Sequence, residues 1–129
     1  MTTPSGSESV VIDSSGWLEY ITGDEKAELF AAYFESAASI LVPVIVLYEV
    51  RKILLLRRSQ TLADIFLSEA LRRTVIPITE SIALAAASIS IDHQLAMADA
   101  LLYAAAQSRS AHFLTTDAHF RDLPGVTLL

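Results

Sequence analysis

The chain has 129 residues, with 9 Lys and Arg against 15 Asp and Glu, and a formal net charge of −6. That length holds one domain and excludes a second core, and the absence of cysteine excludes disulfides and thiolate metal sites. Hydrophobic residues make up 53% and mean hydropathy is +0.47, yet the longest apolar run, Ile40 to Tyr48, contains Pro43 and falls far short of the ~20 residues a bilayer span needs. So apolar a surface leaves some to spare for a partner.

In chain order, residues 1–8 read as a disordered leader, and residues 9–129 as a single domain. Met1 to Ser7 is polar and lacks the basic-then-apolar pattern of a signal peptide, which with the missing cysteines favours the cytoplasm. Val10-Val11-Ile12 predicts a buried strand ending at Asp13. Ser14, Ser15 and Gly16 offer a turn and cap before a helix holding Trp17, Leu18 and Ile21. Gly23 ends that helix, and Asp24 can cap the next, which runs to about Ser36. Ile40-Leu41-Val42 predicts a second strand, stopped by Pro43 at a helix start.

Helices follow over 44–58 and from about Leu62 to Arg73. Val75-Ile76 opens a third strand closed by Pro77. A small-residue helix starts around Thr79 and reaches about Ser90, and another spans Leu95 to Ser108. His112 to Thr115 predicts a fourth strand, and Val126-Thr127-Leu128 a fifth. Short buried strands alternating with helices predict an α/β fold whose parallel sheet is covered on both faces.

Four acids stand where acids are expensive. Asp13 ends the first strand and Asp117 follows the fourth, so both belong at the strands' carboxyl ends, where parallel sheets bind ligands. Glu49 has Ile45 and Ile53 one helical turn to either side. Asp99 is the one charge between Leu95 and Gln107. A buried, unpaired carboxylate costs several kcal/mol or becomes protonated, and several together repel. A hard divalent cation, Mg²⁺ or Mn²⁺, relieves both penalties through oxygen ligands.

Each acid also has a plainer reading. Asp13 and Asp117 can be helix N-caps, Glu49 can pair with Arg51 or Arg58, and Asp99 can cap or form a buried salt bridge. Asp92 fits the capping of a turn. His93, His112 and His119 read as structural, although His119, just past Asp117, can reach a substrate. The acidic total argues against nucleic acid, but setting aside the four acids leaves −2. Six of the nine basic residues also fall between Arg51 and Arg73, and such a local patch can bind phosphates. Arg51, Lys52, Arg57 and Arg58 are its candidates. The apolar run Ile53-Leu54-Leu55-Leu56 exceeds one core-facing stripe and predicts a dimer or partner interface.

The strings Val11-Ile12-Asp13-Ser14-Ser15, Pro43 with Glu49, Ala98-Asp99-Ala100-Leu101 and Leu114-Thr115-Thr116-Asp117-Ala118-His119-Phe120, with Gly125-Val126, together resemble the PIN-domain nucleases. They are most similar to the VapC-type toxins of bacterial type II toxin–antitoxin modules. The resemblance covers nearly all of residues 9–129.

It implies a PIN-like three-layer sandwich with a parallel five-stranded sheet flanked by helices. It also implies a metal-dependent endoribonuclease whose acidic site is Asp13, Glu49, Asp99 and Asp117. Ser14 and Thr115 match positions that orient the carboxylates or a bound water. RNA as substrate, a homodimer and a neutralising cognate antitoxin are implied by the resemblance alone. A non-catalytic PIN-fold interaction module and a housekeeping RNA-processing nuclease are the alternatives. A phosphoacceptor receiver domain wants a second acid beside the first-strand Asp and a late Lys, and neither is present. A haloacid-dehalogenase-type phosphatase wants Asp-x-Asp, where position 15 is Ser.

Overall fold

Val10, Val11 and Ile12 carry no charge and no preference for either sheet face, the pattern of a strand buried on both. They form the centre of the sheet. The structure, a computed structural model, describes residues 8–36 and 39–129. Of the expected leader, residues 1–7 lie outside those described. Five strands, β1 (Ser9–Ile12), β2 (Ser39–Pro43), β3 (Thr74–Ile76), β4 (His112–Thr115) and β5 (Val126–Leu128), are ordered β3-β2-β1-β4-β5. All four pairings are parallel, with Val11 opposite Leu41 on one side and Phe113 on the other. Six helices flank the sheet: α1 (Ser14–Thr22), α2 (Ala27–Ser36), α3 (Val44–Arg57), α4 (Gln60–Leu71), α5 (Glu80–His93) and α6 (Met97–Ser108). Among the described residues, no helix is long and apolar enough to cross a membrane.

The order of the strands decides where a site can form. From β1 the chain moves outward to β2 and β3, then returns to β4 on the other side of β1. Right-handed crossovers put α1 to α4 on one face and α5 and α6 on the other. The seam between β1 and β4 is thus a topological switch point, where the connecting loops part and leave a crevice above the strand ends. Trp17 of α1 packs edge-on against Phe34 at 4.6 Å and Phe66 at 5.3 Å. Helices α1, α2 and α4 are thereby fixed over one face of the sheet.

The elements match the sequence reading with local exceptions, each with a cause. Helix α4 begins at Gln60, two residues before the expected start, because Ser59 is its N-cap and its hydroxyl accepts from Leu62 N. Asp24 does not cap α2 through its side chain. Its carboxylate takes the Thr22 hydroxyl at 2.7 Å, and Glu19 instead accepts from Lys26 N at 3.1 Å. Asp92 caps nothing; it lies exposed in the last turn of α5, with His93 the final residue and Gln94 closing the helix in the left-handed region at φ 56°. Helix α6 starts at Met97, two residues later than expected, with Leu95 buried ahead of it. Helix α5 packs on α6, burying only Ile82 and Ala86, and exposes Leu84 and Ile91.

Candidate metal centre

Strand β1 ends by delivering Asp13 to the switch point. Its Oδ1 accepts from Ser14 N at 2.8 Å, so Asp13 is the N-cap of α1. Its Oδ2 accepts from the Thr115 hydroxyl at 2.7 Å and, more weakly, from the Ser15 hydroxyl at 3.4 Å. Thr115 ends β4, so this bond closes the seam between residues 102 positions apart. Asp117 follows. Its N–H donates to Thr115 Oγ1 at 3.0 Å, and its carboxylate caps a short 3₁₀ turn, Ala118–Phe120, by accepting from His119 N at 2.9 Å. The His119 imidazole adds a 2.8 Å contact to the same oxygen, Oδ1. Both capping alternatives are therefore real, and both leave lone pairs unused.

Glu49, half-buried on α3, accepts the Ser14 hydroxyl at 2.7 Å on Oε1. It pairs with neither Arg51 nor Arg58. Arg51 is spent on Ala63 O at 3.1 Å and Asp64 at 3.2 Å, tying α3 to α4. Asp99 occupies the third position of α6, where the helix N-terminus favours a negative charge. Among the described residues it has neither a hydrogen bond nor an ion pair. Among the described residues, Asp13, Glu49 and Asp99 have no arginine or lysine partner within salt-bridge distance, and Asp117 pairs with His119.

The carboxylates feel one another. Burial raises the Asp13 carboxyl from 3.8 to about 6, hydrogen bonds from Thr115 and Ser14 pull it down, and Asp99 and Glu49 push it further up. Asp99 is also raised, by burial first and then by Asp117 and Glu49, with His119 opposing. A lone pair remaining on Asp13 Oδ1, which already takes Ser14 N, and the oxygens free of hydrogen bonds at Glu49 Oε2, Asp117 Oδ2 and both positions of Asp99 are the donor chemistry a hard divalent cation takes. As placed, no three acidic or histidine side chains among the described residues stand close enough together to grip an ion. Like charges without a counter-charge hold one another apart. The donor set fits Mg²⁺ or Mn²⁺; the grip requires the side chains to draw in.

The Asp13 shift makes a thermal prediction. Between pH 3.8 and about 6 the folded protein holds a proton that the unfolded chain has released, so stability falls as pH rises through that window. At one pKa unit per 1.36 kcal/mol, the loss approaches about 3 kcal/mol above pH 6. Asp13→Asn is expected to melt several degrees above the parent at pH 7.5 in EDTA and level with it at pH 4. Equal melting temperatures at both pH values would contradict the burial account.

Of the basic candidates, Lys52 is the best placed. It lies one turn beyond Glu49 on α3, on the same side of the helix, and rests over the Tyr48 ring at 5.5 Å. Arg57 and Arg58 lie exposed at the far end of α3, about 12 Å along the axis from Glu49. Ser15 was not singled out by sequence. Besides its contact with Asp13 it accepts from Thr116 N at 3.2 Å, a role hidden within Asp13-Ser14-Ser15, where adjacent serines read equally well as turn formers.

The comparisons with known proteins agree with this architecture. The chain is similar in structure to a toxin–antitoxin complex from Klebsiella pneumoniae, at TM-score 0.79 and 18% identity over 92% of this chain and 95% of that one. It is also similar to VapC20 of Mycobacterium tuberculosis, a sarcin–ricin-loop-cleaving toxin, at 0.72 and 17% over 83% and 87%. A third similarity is to VapBC2 of Rickettsia felis bound to a DNA fragment from its promoter, at 0.72 and 14% over 94% and 97%. At such identities the likeness is one of fold. No curated protein sequence matches the chain. The PIN-domain family model matches residues 10–126, a span that runs from the strand before Asp13 past Asp117, and the chain belongs to the PIN-domain family.

Proposed function

We propose that the chain is an Mg²⁺- or Mn²⁺-dependent endoribonuclease and the toxin of a toxin–antitoxin pair. What supports this is the electrostatic coupling of Asp13 and Asp99 to Glu49, and of Asp99 to Asp117, with Asp13 and Asp99 raised by burial and repulsion and, among the described residues, no arginine or lysine paired with any of the four. A bound divalent cation supplies an acidified water and a positive charge for the phosphodiester oxygens. The protein's own groups do the rest. Ser14 turns Glu49 inward, Thr115 and Ser15 fix one oxygen of Asp13, and His119 fixes one oxygen of Asp117. Lys52 is positioned to meet a backbone phosphate one turn from Glu49, while Arg57 and Arg58 extend positive charge along α3 for the flanking strand; Arg51, paired with Asp64, adds little to it. RNA as substrate draws support from the VapC20 likeness.

The test is cleavage of a structured RNA in Mn²⁺. Cleavage that stops on adding EDTA is expected, and intact RNA at millimolar Mn²⁺ would reject the enzyme. A non-catalytic PIN-fold module is favoured by one observation, that no three acids among the described residues stand within coordinating distance as placed. It predicts the intact RNA.

Partner binding is assigned to α3. Leu55 and Leu56 are 46% and 72% exposed, and with Leu47, Tyr48, Arg51 and Lys52 they line an apolar groove of about 440 Å³. Leu54 alone of the Ile53–Leu56 run is fully buried. An antitoxin segment with apolar anchors and acidic flanks suits a groove rimmed by Arg51 and Lys52, and the similar structures include toxin–antitoxin complexes. A homodimer, also proposed, is the second claimant for this face. The double substitution Leu55→Glu with Leu56→Glu is expected to abolish co-purification of the antitoxin while leaving the fold intact, as read by circular dichroism. Undiminished co-purification would place the partner elsewhere.

A further inference from the structure

Two hydroxyls cross the seam between β1 and β4, and only one of them belongs to a strand. Thr115 Oγ1 takes the Asp117 N–H at 3.0 Å and donates to Asp13 Oδ2 at 2.7 Å. Ser15, in the first turn of α1, repeats the pattern from the opposite side: its Oγ takes the Thr116 N–H at 3.2 Å and reaches the same Asp13 oxygen at 3.4 Å. We infer that Ser15 is a positioning residue, a clip that holds the loop carrying Asp117 in register with Asp13. The inference rests on the proposed metal-dependent cleavage for its consequence, though the clip itself is a matter of geometry.

The physical case is one of connection. Nothing in the covalent chain fixes Asp117 relative to Asp13, which lies 104 positions earlier. After β4 ends at Thr115, the next residue, Thr116, has left the strand ladder. Its N–H would point at a seam with no backbone partner, and an unsatisfied, half-buried N–H is costly. Ser15 supplies the acceptor. Because Ser15 is in the turn capped by Asp13, the loop is tied to the same rigid corner that holds Asp13 itself. Thr115 holds the root of the loop and Ser15 holds its next residue, so two adjacent points define its direction. The loop is anchored again where Phe120 is fully buried against Phe113 and Tyr103, so Ser15 sets the path of the stretch between the strand end and that anchor, where Asp117 lies. Outer-sphere contacts of this kind typically change metal affinity by about 10–100-fold.

The experiment compares the parent, Ser15→Ala and Ser15→Thr as full chains. Hydrogen exchange at the Thr116 amide is read first, in EDTA, with α6 amides as the internal reference. Mn²⁺ binding is then measured by titration calorimetry, and RNA cleavage across a Mn²⁺ series. In Ser15→Ala, Thr116 exchange is expected to quicken about tenfold, the Mn²⁺ dissociation constant to rise about tenfold, and the Mn²⁺ concentration for half-maximal cleavage to rise with it. Ser15→Thr, which keeps the hydroxyl, restores all three. A merely structural serine would lower the melting temperature without moving the Mn²⁺ requirement. Unchanged Thr116 exchange, or Mn²⁺ affinity unchanged in Ser15→Ala, overturns the inference. If the parent neither binds Mn²⁺ nor cuts RNA, the proposed function fails instead, and the exchange result alone decides whether the clip exists.

Discussion

Asp99→Asn is expected to remove metal-dependent RNA cleavage by at least about a hundredfold while leaving the protein as stable as the parent, or more so. The two halves have one cause. Asp99 makes no hydrogen bond or ion pair among the described residues, so its charge is supported only by the N-terminus of α6 and by His119, and burial with the neighbouring acids outweighs both. Burial and the neighbouring Asp117 and Glu49 make that charge unfavourable as it stands. Asparagine keeps the shape, and removing a repelled charge relieves the folded state. The loss falls on the cation, for which an amide is a poor substitute for a carboxylate with two free oxygens. Removing one carboxylate from a set that stabilises transition-state charge forfeits several kcal/mol, and about 3 kcal/mol is a factor of more than 10². Single-turnover cleavage and thermal melting of the same preparation check both halves. Full activity in Asp99→Asn removes Asp99 from the site, and a collapse in melting temperature shows that the residue is structural.

The second large effect is on stability. Gly16→Ala is expected to cost about 2–3 kcal/mol and lower the melting temperature by roughly 10 °C for a domain of this size. A Cβ at Gly16 would stand 2.5 Å from Phe30 Cε1, 2.6 Å from Ile12 Cγ2 and 2.8 Å from Phe30 Cδ1. Phe30 and Ile12 are both fully buried, so neither can retreat into solvent. The close approach seats α1 directly on the end of β1 and α2, and Gly16 N also bonds Asp13 O at 2.9 Å. Pushing α1 outward therefore moves the turn that presents Asp13, and cleavage is expected to fall together with stability. Melting by circular dichroism and cleavage at a temperature where the variant is folded separate the two effects. A variant as stable as the parent would mean that Phe30 and Ile12 can repack.

These contrasts show what the chain reveals unaided. The strands were legible because Val10-Val11-Ile12 and Ile40-Leu41-Val42 are uninterrupted apolar runs that only a doubly covered sheet accommodates. The helix start at Pro43 was legible because proline suits a first turn, and Gly23 from its place at a helix end, where it takes φ 69°. Asp99 stood out because a lone charge in an apolar helix has few inexpensive explanations. Ser59 as a cap and Asp24 as none were harder, since both depend on side-chain rotamers rather than on residue type. Ser15 was hidden for a deeper reason. Its partner, the Thr116 N–H, lies 101 residues away, and a backbone donor leaves no mark in the sequence. The basic segment was legible as composition only: helical phase sends Arg51 toward Asp64 and leaves Lys52 on the side of Glu49.

The exposed side of α3 follows the same logic. Leu54 goes inward with Val46 and Val50, and the 100° step between residues then carries Leu55 and Leu56 round to solvent. Four consecutive apolar residues cannot all face one core, so the surplus was legible. Which partner covers it depends on a second chain.

The central claim is that Asp13, Glu49, Asp99 and Asp117 act on one divalent cation, and calorimetric titration of the parent and the four single amide variants with Mn²⁺ tests it most directly. Saturable binding by the parent, weakened at least about tenfold in each of Asp13→Asn, Glu49→Gln, Asp99→Asn and Asp117→Asn, is the predicted result. A parent that takes up no Mn²⁺ at millimolar concentration, or variants that bind it as the parent does, would contradict it.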